Sequence, residues 1–339
     1  MGYSVQILNN IRMDASEEYQ ELIPEATRNN ISEVGNALLT YKLQYNEFCT
    51  NLIHKIGKTI VESKLFKNKL ARFKSGVVLS QQDVEEIFVD MAQNCVTNYD
   101  PNGSNPLGRR EEDNVRVAYH RMNRKSCYEF TIGDLDFLRA FKSEATLDTF
   151  ISGLINSVYS RAAYDEWILM KDLLATYKHP TINRSYFKYG VPALDGTNNE
   201  LACKAFVKTL RKAVQDLSFP MNLYNIGEVT TWTNPEDLVL LINKDLIAEI
   251  DVEVLAKAFN MGKTDIQTQI VVMDDFGSLE NTYALLIDKD FFKVFDTLSD
   301  MESQRNAQGK FTNYFYHVHQ ILSLSPFKNA VRFTTEEVE

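Results

Sequence analysis

Apolar and polar residues alternate with different periods in successive parts of the chain. From Asn29 onward Ile31, Val34, Leu38, Leu39, Leu43, Tyr45, Phe48, Leu52 and Ile53 recur every three to four residues, the spacing of one helix face. Residues 1–28 are polar and irregular, with Pro24 near their end, and read as an extended arm. Lys58-Thr59-Ile60-Val61-Glu62 reads as a strand, as do Phe73 and Val77 to Leu79; Val84 to Met91 suits a short strand or helix. Asn98 to Gly108 is a dense turn cluster, followed by the charged run Arg109-Arg110-Glu111-Glu112-Asp113. Val115, Val117 and Tyr119 then alternate with polar or small residues, and a strand returns through Tyr128, Phe130 and Ile132. Residues 71–130 thus read as a long two-stranded excursion with a polar tip. A lone hairpin is marginal in water, so this one needs a surface to lie on, and another copy of the chain can supply it.

After Ser143, an N-cap residue, apolar positions follow helical spacing from Leu147 through Tyr159 to Tyr177, where His179-Pro180 stops the pattern. A helix of about 35 residues would be roughly 50 Å long, with no twin of equal length to pair with. Residues 181–199 read as a loop. Leu201 to Leu217 is an amphipathic helix with Phe206, Val207, Leu210, Val214 and Leu217 on one side and Lys204, Lys208, Arg211 and Lys212 on the other. Leu238–Asn243, Gln269–Met273 and Tyr283–Asp288 read as strands, with a helix over Asp245–Phe259, giving an α/β sub-domain at about 200–295. The tail holds an extended aromatic stretch, Phe311 to Leu324, and a last strand at Asn329–Phe333.

Composition narrows the function classes. With 339 residues, 44% apolar and 24% charged, the chain can bury a real core. A net charge of −10 disfavours a general nucleic-acid binder, although enclosing DNA requires no tight contact. Cys49, Cys95, Cys127 and Cys203 form no C-x-x-C pair and read as free thiols of a reducing compartment. Neither an export signal nor a membrane-length apolar run is visible, so synthesis and assembly in a cytoplasm are expected.

Chemistry-bearing patterns are thin. Gly262-Lys263-Thr264 resembles the end of a phosphate-binding loop, and Asp274-Asp275 after Val271-Val272-Met273 the metal-binding strand that accompanies one. The full motif needs a glycine at position 257, where the chain has Lys257, and Gly262 reads better as a helix C-cap. His317 and His319 share a face on a strand, but neither a cysteine nor a carboxylate nearby in sequence completes a metal set, and packing is the simpler role. No G-x-S-x-G elbow occurs. Neither a cofactor nor a catalytic residue is expected.

Several words of the sequence carry a resemblance. Ala248 to Met261, Leu286-Ile287-Asp288-Lys289-Asp290-Phe291-Phe292, Met301 to Asn306, Asn313 to Val318 and Asn329-Ala330-Val331 look like stretches of the major capsid proteins of small, protein-primed podophages, the picovirus group typified by Bacillus phage phi-twenty-nine. So do Ala26 to Gly35 and Ile151 to Tyr159. The resemblance is weaker around 95–125 and 181–235. It implies an α+β, Hong Kong 97-type phage capsid fold. Its parts would map as an N-terminal arm and helix at 1–58, an extended loop at 59–132, a peripheral domain at 133–198 and 296–339 with a spine helix about 144–178, and an axial domain at 199–295. It further implies self-assembly into pentamers and hexamers of an icosahedral or prolate shell enclosing double-stranded DNA, touched non-specifically at the inner surface. Scaffolding protein, portal and a head fibre or decoration protein are the implied partners; a membrane is not. The implied site is the virion, assembled in the bacterial host cytoplasm. Some members carry an immunoglobulin-like domain after this fold, and none is expected here. Arg109, Arg110, Glu111, Glu112 and Asp113 suit the rim of an inter-subunit contact. The competing readings are an encapsulin-like nanocompartment shell and, far behind, a nucleotide-binding enzyme using Gly262-Lys263-Thr264.

Overall fold

A computed structural model describes residues 3–41, 43–45, 47–48, 51, 66–78, 83–91, 115–142, 144–194, 199–250 and 269–336. The helices are α1 (Tyr3–Asp14), α2 (Glu17–Leu22), α3 (Ile31–Thr40), α4 (Asp134–Ala140), α5 (Glu144–Ala175), α6 (Asn199–Leu217) and α7 (Lys244–Glu249). The strands are β1 (Lys74–Val77), β2 (Val84–Val89), β3 (Val115–His120), β4 (Arg124–Gly133), β5 (Phe187–Gly190) and β6 (Leu238–Asn243). They continue as β7 (Ile270–Met273), β8 (Thr282–Asp288), β9 (Phe292–Asn306), β10 (Phe311–Leu324) and β11 (Ala330–Thr334). Two compact units emerge: 1–71, 123–167 and 296–320 form the first, and 72–122, 168–295 and 321–339 the second.

In the first unit the amino terminus is not the extended arm that its polarity suggests. Val5, Ile7, Leu8 and Ile11 of α1 and Tyr19 of α2 are buried in one core with Ile31, Val34, Leu38, Phe141 and Tyr314. Val5, Leu8 and Ile11 recur every three residues, a helix face diluted by Gln6, Asn9, Asn10 and Arg12. Those same polar residues tie the segment together. Asn9 Nδ2 donates to the Ala26 carbonyl (3.0 Å) while the Ala26 N–H donates back to Asn9 Oδ1 (2.8 Å). Arg12 Nε donates to the Ile23 carbonyl at 3.0 Å, and the Ser16 hydroxyl caps α2 through Tyr19 N–H. Gly35 sits where α3 crosses Phe141: a Cβ there would lie 2.5 Å from that ring's own Cβ.

β4 pairs antiparallel with β10, Arg124 opposite Gln320 and Gly133 opposite Phe311. The sequence reading had β4 as the returning strand of the excursion; the structure gives it to the sheet β1-β9-β10-β4, and the excursion is β2 with β3 instead. Strand β9 has 15 residues and β10 has 14, both far longer than the usual five or six. Asp296, Ser299, Asp300, Glu302, Ser303 and Gln304 hide β9 from a hydrophobicity reading.

Helix α5 runs 32 residues and stops short of His179-Pro180. Its first-unit portion is fastened by a buried polar network. Arg124 is 4% exposed, Gln320 1% and Glu166 7%, so each must find partners inside. Arg124 Nη1 donates to Gln320 Oε1, and Arg124 Nη2 to the Ala162 carbonyl (3.1 Å) and Tyr128 OH (3.0 Å). Gln320 Nε2 donates to Glu166 Oε2 (2.8 Å) and Asp296 Oδ1 (2.6 Å), and Asn68 Nδ2 to Glu166 Oε1 (2.8 Å).

The second unit is built on a five-stranded sheet of order β5-β11-β8-β6-β7. β5 and β11 are parallel, as are β6 and β7; β8 runs antiparallel to both its neighbours. β6 reads Leu-Val-Leu-Leu-Ile and is buried throughout, as a strand covered on both faces should be. α6 lays Phe206, Val207, Leu210, Val214 and Leu217 into the core that holds Leu240, Leu286 and Phe333. β5 lies inside the stretch 181–199 read as loop; its aromatic residues Phe187 and Tyr189 meet Tyr224 and Phe333. The helix expected over 245–259 is shorter: α7 ends at Glu249, where Ile250 turns extended as its C-cap, and residues 251–259 lie outside the described residues, as does the strand at 58–62.

Candidate functional site

The second unit's β2 and β3 form a two-stranded antiparallel ribbon, Val84 opposite His120 and Val89 opposite Val115, in which successive residues face opposite ways. Glu86, Phe88, Arg116, Ala118 and His120 turn inward. Ile87, Val89, Val115, Val117 and Tyr119 turn outward and are 59%, 55%, 54%, 41% and 61% exposed. The register sets Ile87 against Val117 and Val89 against Val115, so the outer face is a ladder of paired apolar side chains capped by Tyr119 across from Glu85. Cross-strand pairs of this kind normally stabilise a sheet by facing a core. Here the face is bare, and a bare contiguous apolar patch marks a contact surface.

The inner face explains how a ribbon that is marginal alone stays in place. Phe88 packs against Phe327 with the rings tilted and their centroids 5.7 Å apart, and Arg116 Nη1 donates to the Gly227 carbonyl. Asp90 Oδ1 accepts the Thr230 N–H at 3.2 Å. At the ribbon's base His120 Nε2 lies 3.1 Å from Glu86 Oε2, Lys293 Nζ 3.2 Å from Glu86 Oε1, and the Ser325 hydroxyl donates to the same oxygen at 2.8 Å. His120 Nδ1 meets Ser323 Oγ at 2.7 Å. Burial alone would raise the Glu86 carboxyl's pKa; the donors from His120, Lys293 and Ser325 outweigh it and hold the value below the ordinary 4.5.

That shift has a sign. A carboxyl whose folded pKa is depressed adds stability that is fully present above its unfolded value and lost as pH falls through the folded one. Wild type should therefore exceed Glu86→Gln in stability above pH 4.5, and the margin should shrink as pH falls below that value. Denaturation midpoints of the unassembled chain across that range are the check; a margin independent of pH would contradict the assignment.

Among the residues singled out from sequence, Arg109, Arg110, Glu111, Glu112 and Asp113 belong to the connection 92–114 between β2 and β3 and lie outside the described residues, as do Gly262, Lys263 and Thr264. Asp274 and Asp275 do follow β7, but both carboxylates are engaged by Lys171 Nζ, at 3.0 and 2.9 Å. Burial opposes the Lys171 charge, and the two aspartates overcome it and raise its pKa. An acidic pair already holding an ammonium between its carboxylates is poorly disposed toward a metal ion. His317 and His319 share a face of β10; His317 Nε2 is 4.0 Å from Cys127 Sγ on β4. No group of three metal-type ligands occurs among the described residues, and no described helix is long and apolar enough to cross a membrane. From sequence the adjacent pair Glu85-Glu86 reads as a solvated face or a subunit contact; Glu85 is exposed, but Glu86 turns inward to His120, Lys293 and Ser325, partners that its spacing does not announce.

Comparison with known proteins bears on what the surface is for. The model of a family described as Phi29-like phage major capsid protein matches residues 8–334. The major capsid protein of Bacillus phage B103 is 38% identical over 335 residues, covering 98% of this chain and 73% of that protein. That of Bacillus phage PZA is 36% identical over 338 residues, covering 99% of this chain and 74% of its own length. That of Streptococcus phage Cp-1 is 28% identical, covering 98% of this chain and 95% of the relative. Among solved structures, a chain in the capsid of Staphylococcus phage Andhra superposes with a TM-score of 0.63 at 12% identity, covering 82% of this chain and 86% of that one. A chain in the capsid of Cyanophage P-SCSP1u does so with a TM-score of 0.52 at 12% identity, covering 82% and 91%. At such identities the likeness speaks to the fold alone, an α+β capsid fold of the Hong Kong 97 type.

Proposed function

The chain belongs to the Phi29-like phage major capsid protein family, and from that footing we propose that its copies join through the outer apolar ladder of the β2–β3 ribbon. It is a shell-forming structural protein of the virion. The finer picture is ours. Rings of five and six copies close an icosahedral or prolate shell around double-stranded DNA. The ribbon of each copy rests on a neighbour, and Arg109 to Asp113 serve at the rim of that contact, where charge orients more than it binds. In this reading 1–58 takes the place of the arm although α1 to α3 pack into a core, 59–132 that of the extended loop although β4 at its end pairs with β10, and 133–198 with 296–339 and 199–295 those of the peripheral and axial domains. Scaffolding protein and portal meet the assembling shell, a head fibre or decoration protein joins its outside as an added layer, and the chain itself performs no catalysis.

One observation carries the proposal: five outward side chains, Ile87, Val89, Val115, Val117 and Tyr119, are exposed on a ribbon whose other face is firmly held. Obligate assemblies bury large interfaces, apolar at the centre, and this face has that chemistry. Relatives at 34–38% identity over nearly the whole chain are phage head proteins, which favours a DNA-filled shell over a cargo-filled nanocompartment. Deleting residues 99–113 tests the idea. The shortened chain should stay folded and form few closed particles in negative-stain images. If the deletion unfolds the chain instead, the tip belongs to a core and the proposal fails.

A further inference from the structure

Helix α6 separates a buried apolar side from an exposed basic one. Its apolar side is committed to the second unit's core, while Lys204, Lys208, Arg211 and Lys212 are exposed on the other side. These four positions follow i, i+4, i+7 and i+8, a stripe of about 12 Å along the helix. The helix holds two carboxylates, one in each terminal turn, that could neutralise them. Glu200 takes Lys204 at 2.5 Å, and Asp216 accepts the Tyr189 hydroxyl at 2.7 Å. Lys208, Arg211 and Lys212 make no ion pair among the described residues.

A face that docks another protein carries aromatic or aliphatic anchors at its centre and is poor in lysine. This face has three lysines, and its one large apolar residue, Leu201 (65% exposed), stands at the amino-terminal end. Flexible cations without an anchor suit a partner that is a continuous array of negative charge and needs no shape match. On a chain of net charge −10 such a stripe is also the place where a polyanion meets least repulsion. We propose that the exposed face of α6 contacts the phosphate backbone of double-stranded DNA without reading its sequence. The inference rests on the reading of the chain as a shell around DNA and assigns that contact to particular residues.

The test uses the full unassembled chain and a short labelled duplex at low salt, followed by fluorescence anisotropy. Three unpaired cations predict that log K falls by about 2.7 per decade of salt, or about 40-fold between 50 and 200 mM. The triple variant Lys208→Glu, Arg211→Glu, Lys212→Glu should lose this salt-dependent binding. A control, Lys125→Glu, Lys142→Glu, Lys178→Glu, changes net charge equally at exposed lysines elsewhere and should keep it. Circular dichroism and particle formation are followed on the same preparations. Equal behaviour of the two triple variants overturns the proposal, because net charge alone would then govern binding. So does an α6 variant that binds normally yet forms no particles, which would make the face a contact between copies. A wild-type chain that closes no particles strikes the shell reading itself, whatever its DNA binding.

Discussion

Ile87→Asp with Val117→Asp yields a folded chain that no longer closes into particles. The two side chains oppose each other on the outer ladder, 59% and 41% exposed, so the lone chain loses little by the exchange. In an assembled contact the balance differs. Fully burying one aliphatic side chain of this size is worth about 1.5–3 kcal/mol, and burying a carboxylate without a partner costs several kcal/mol more. Both penalties recur at every copy around a shell, so the effect on assembly is a loss rather than a slowing. Sedimentation and negative-stain microscopy supply the readout, with Ile87→Val as the conservative partner that should still assemble. Particles at wild-type yield from the double aspartate variant would show that this face meets nothing.

Arg124→Met should destabilise the first unit by about 3–5 kcal/mol, the usual consequence of removing one partner from a buried charged set. Arg124 is the cation of that set: its guanidinium lies 3.9 Å from the Glu166 carboxylate and bonds Gln320, Tyr128 and the Ala162 carbonyl. Without it Glu166 keeps its amide donors from Gln320 and Asn68 but loses its neighbouring positive charge. Adding Glu166→Gln to Arg124→Met should recover part of the loss, since a neutral amide then sits where the buried carboxylate charge was. Urea midpoints of the four unassembled proteins form the cycle. A cost under about 1 kcal/mol for Arg124→Met would mean that solvent reaches the network and that α5 is held by its apolar contacts instead.

What the sequence disclosed was what its periodicity could encode. β6, β10 and α6 are strongly patterned and fall within a residue or two of where the spacing puts them. α5 was legible for the same reason, although it ends at Ala175 rather than at the proline. α1 and β9 were missed because each dilutes a short apolar repeat with amides and charges that find partners only in the fold, as Asn9 and Arg12 do. Pairing was harder still. β3 and β4 are separated by Arg121-Met122-Asn123 alone, and both alternate, so spacing could not say that β3 goes to β2 while β4 goes to β10, nearly two hundred residues later. The ladder on the ribbon was visible as Val115, Val117 and Tyr119, but its exposure was not. An alternating strand looks the same whichever face is covered.

The interleaved make-up of the first unit governs how the chain can come into being. Its opening helices share a core with Ile132, Phe141 and Tyr314. During translation at 5–20 residues per second, the stretch from Phe48 to Tyr314 takes roughly 13–50 s to emerge. Throughout that interval Val5, Leu8 and Ile11 have no completed pocket to enter, so the nascent polypeptide carries sticky surface from its first seconds to almost its last. Ribosomes following one another along one message thus hold a crowd of half-finished chains, and the danger of premature clumping is greatest there, before any shell has begun to form.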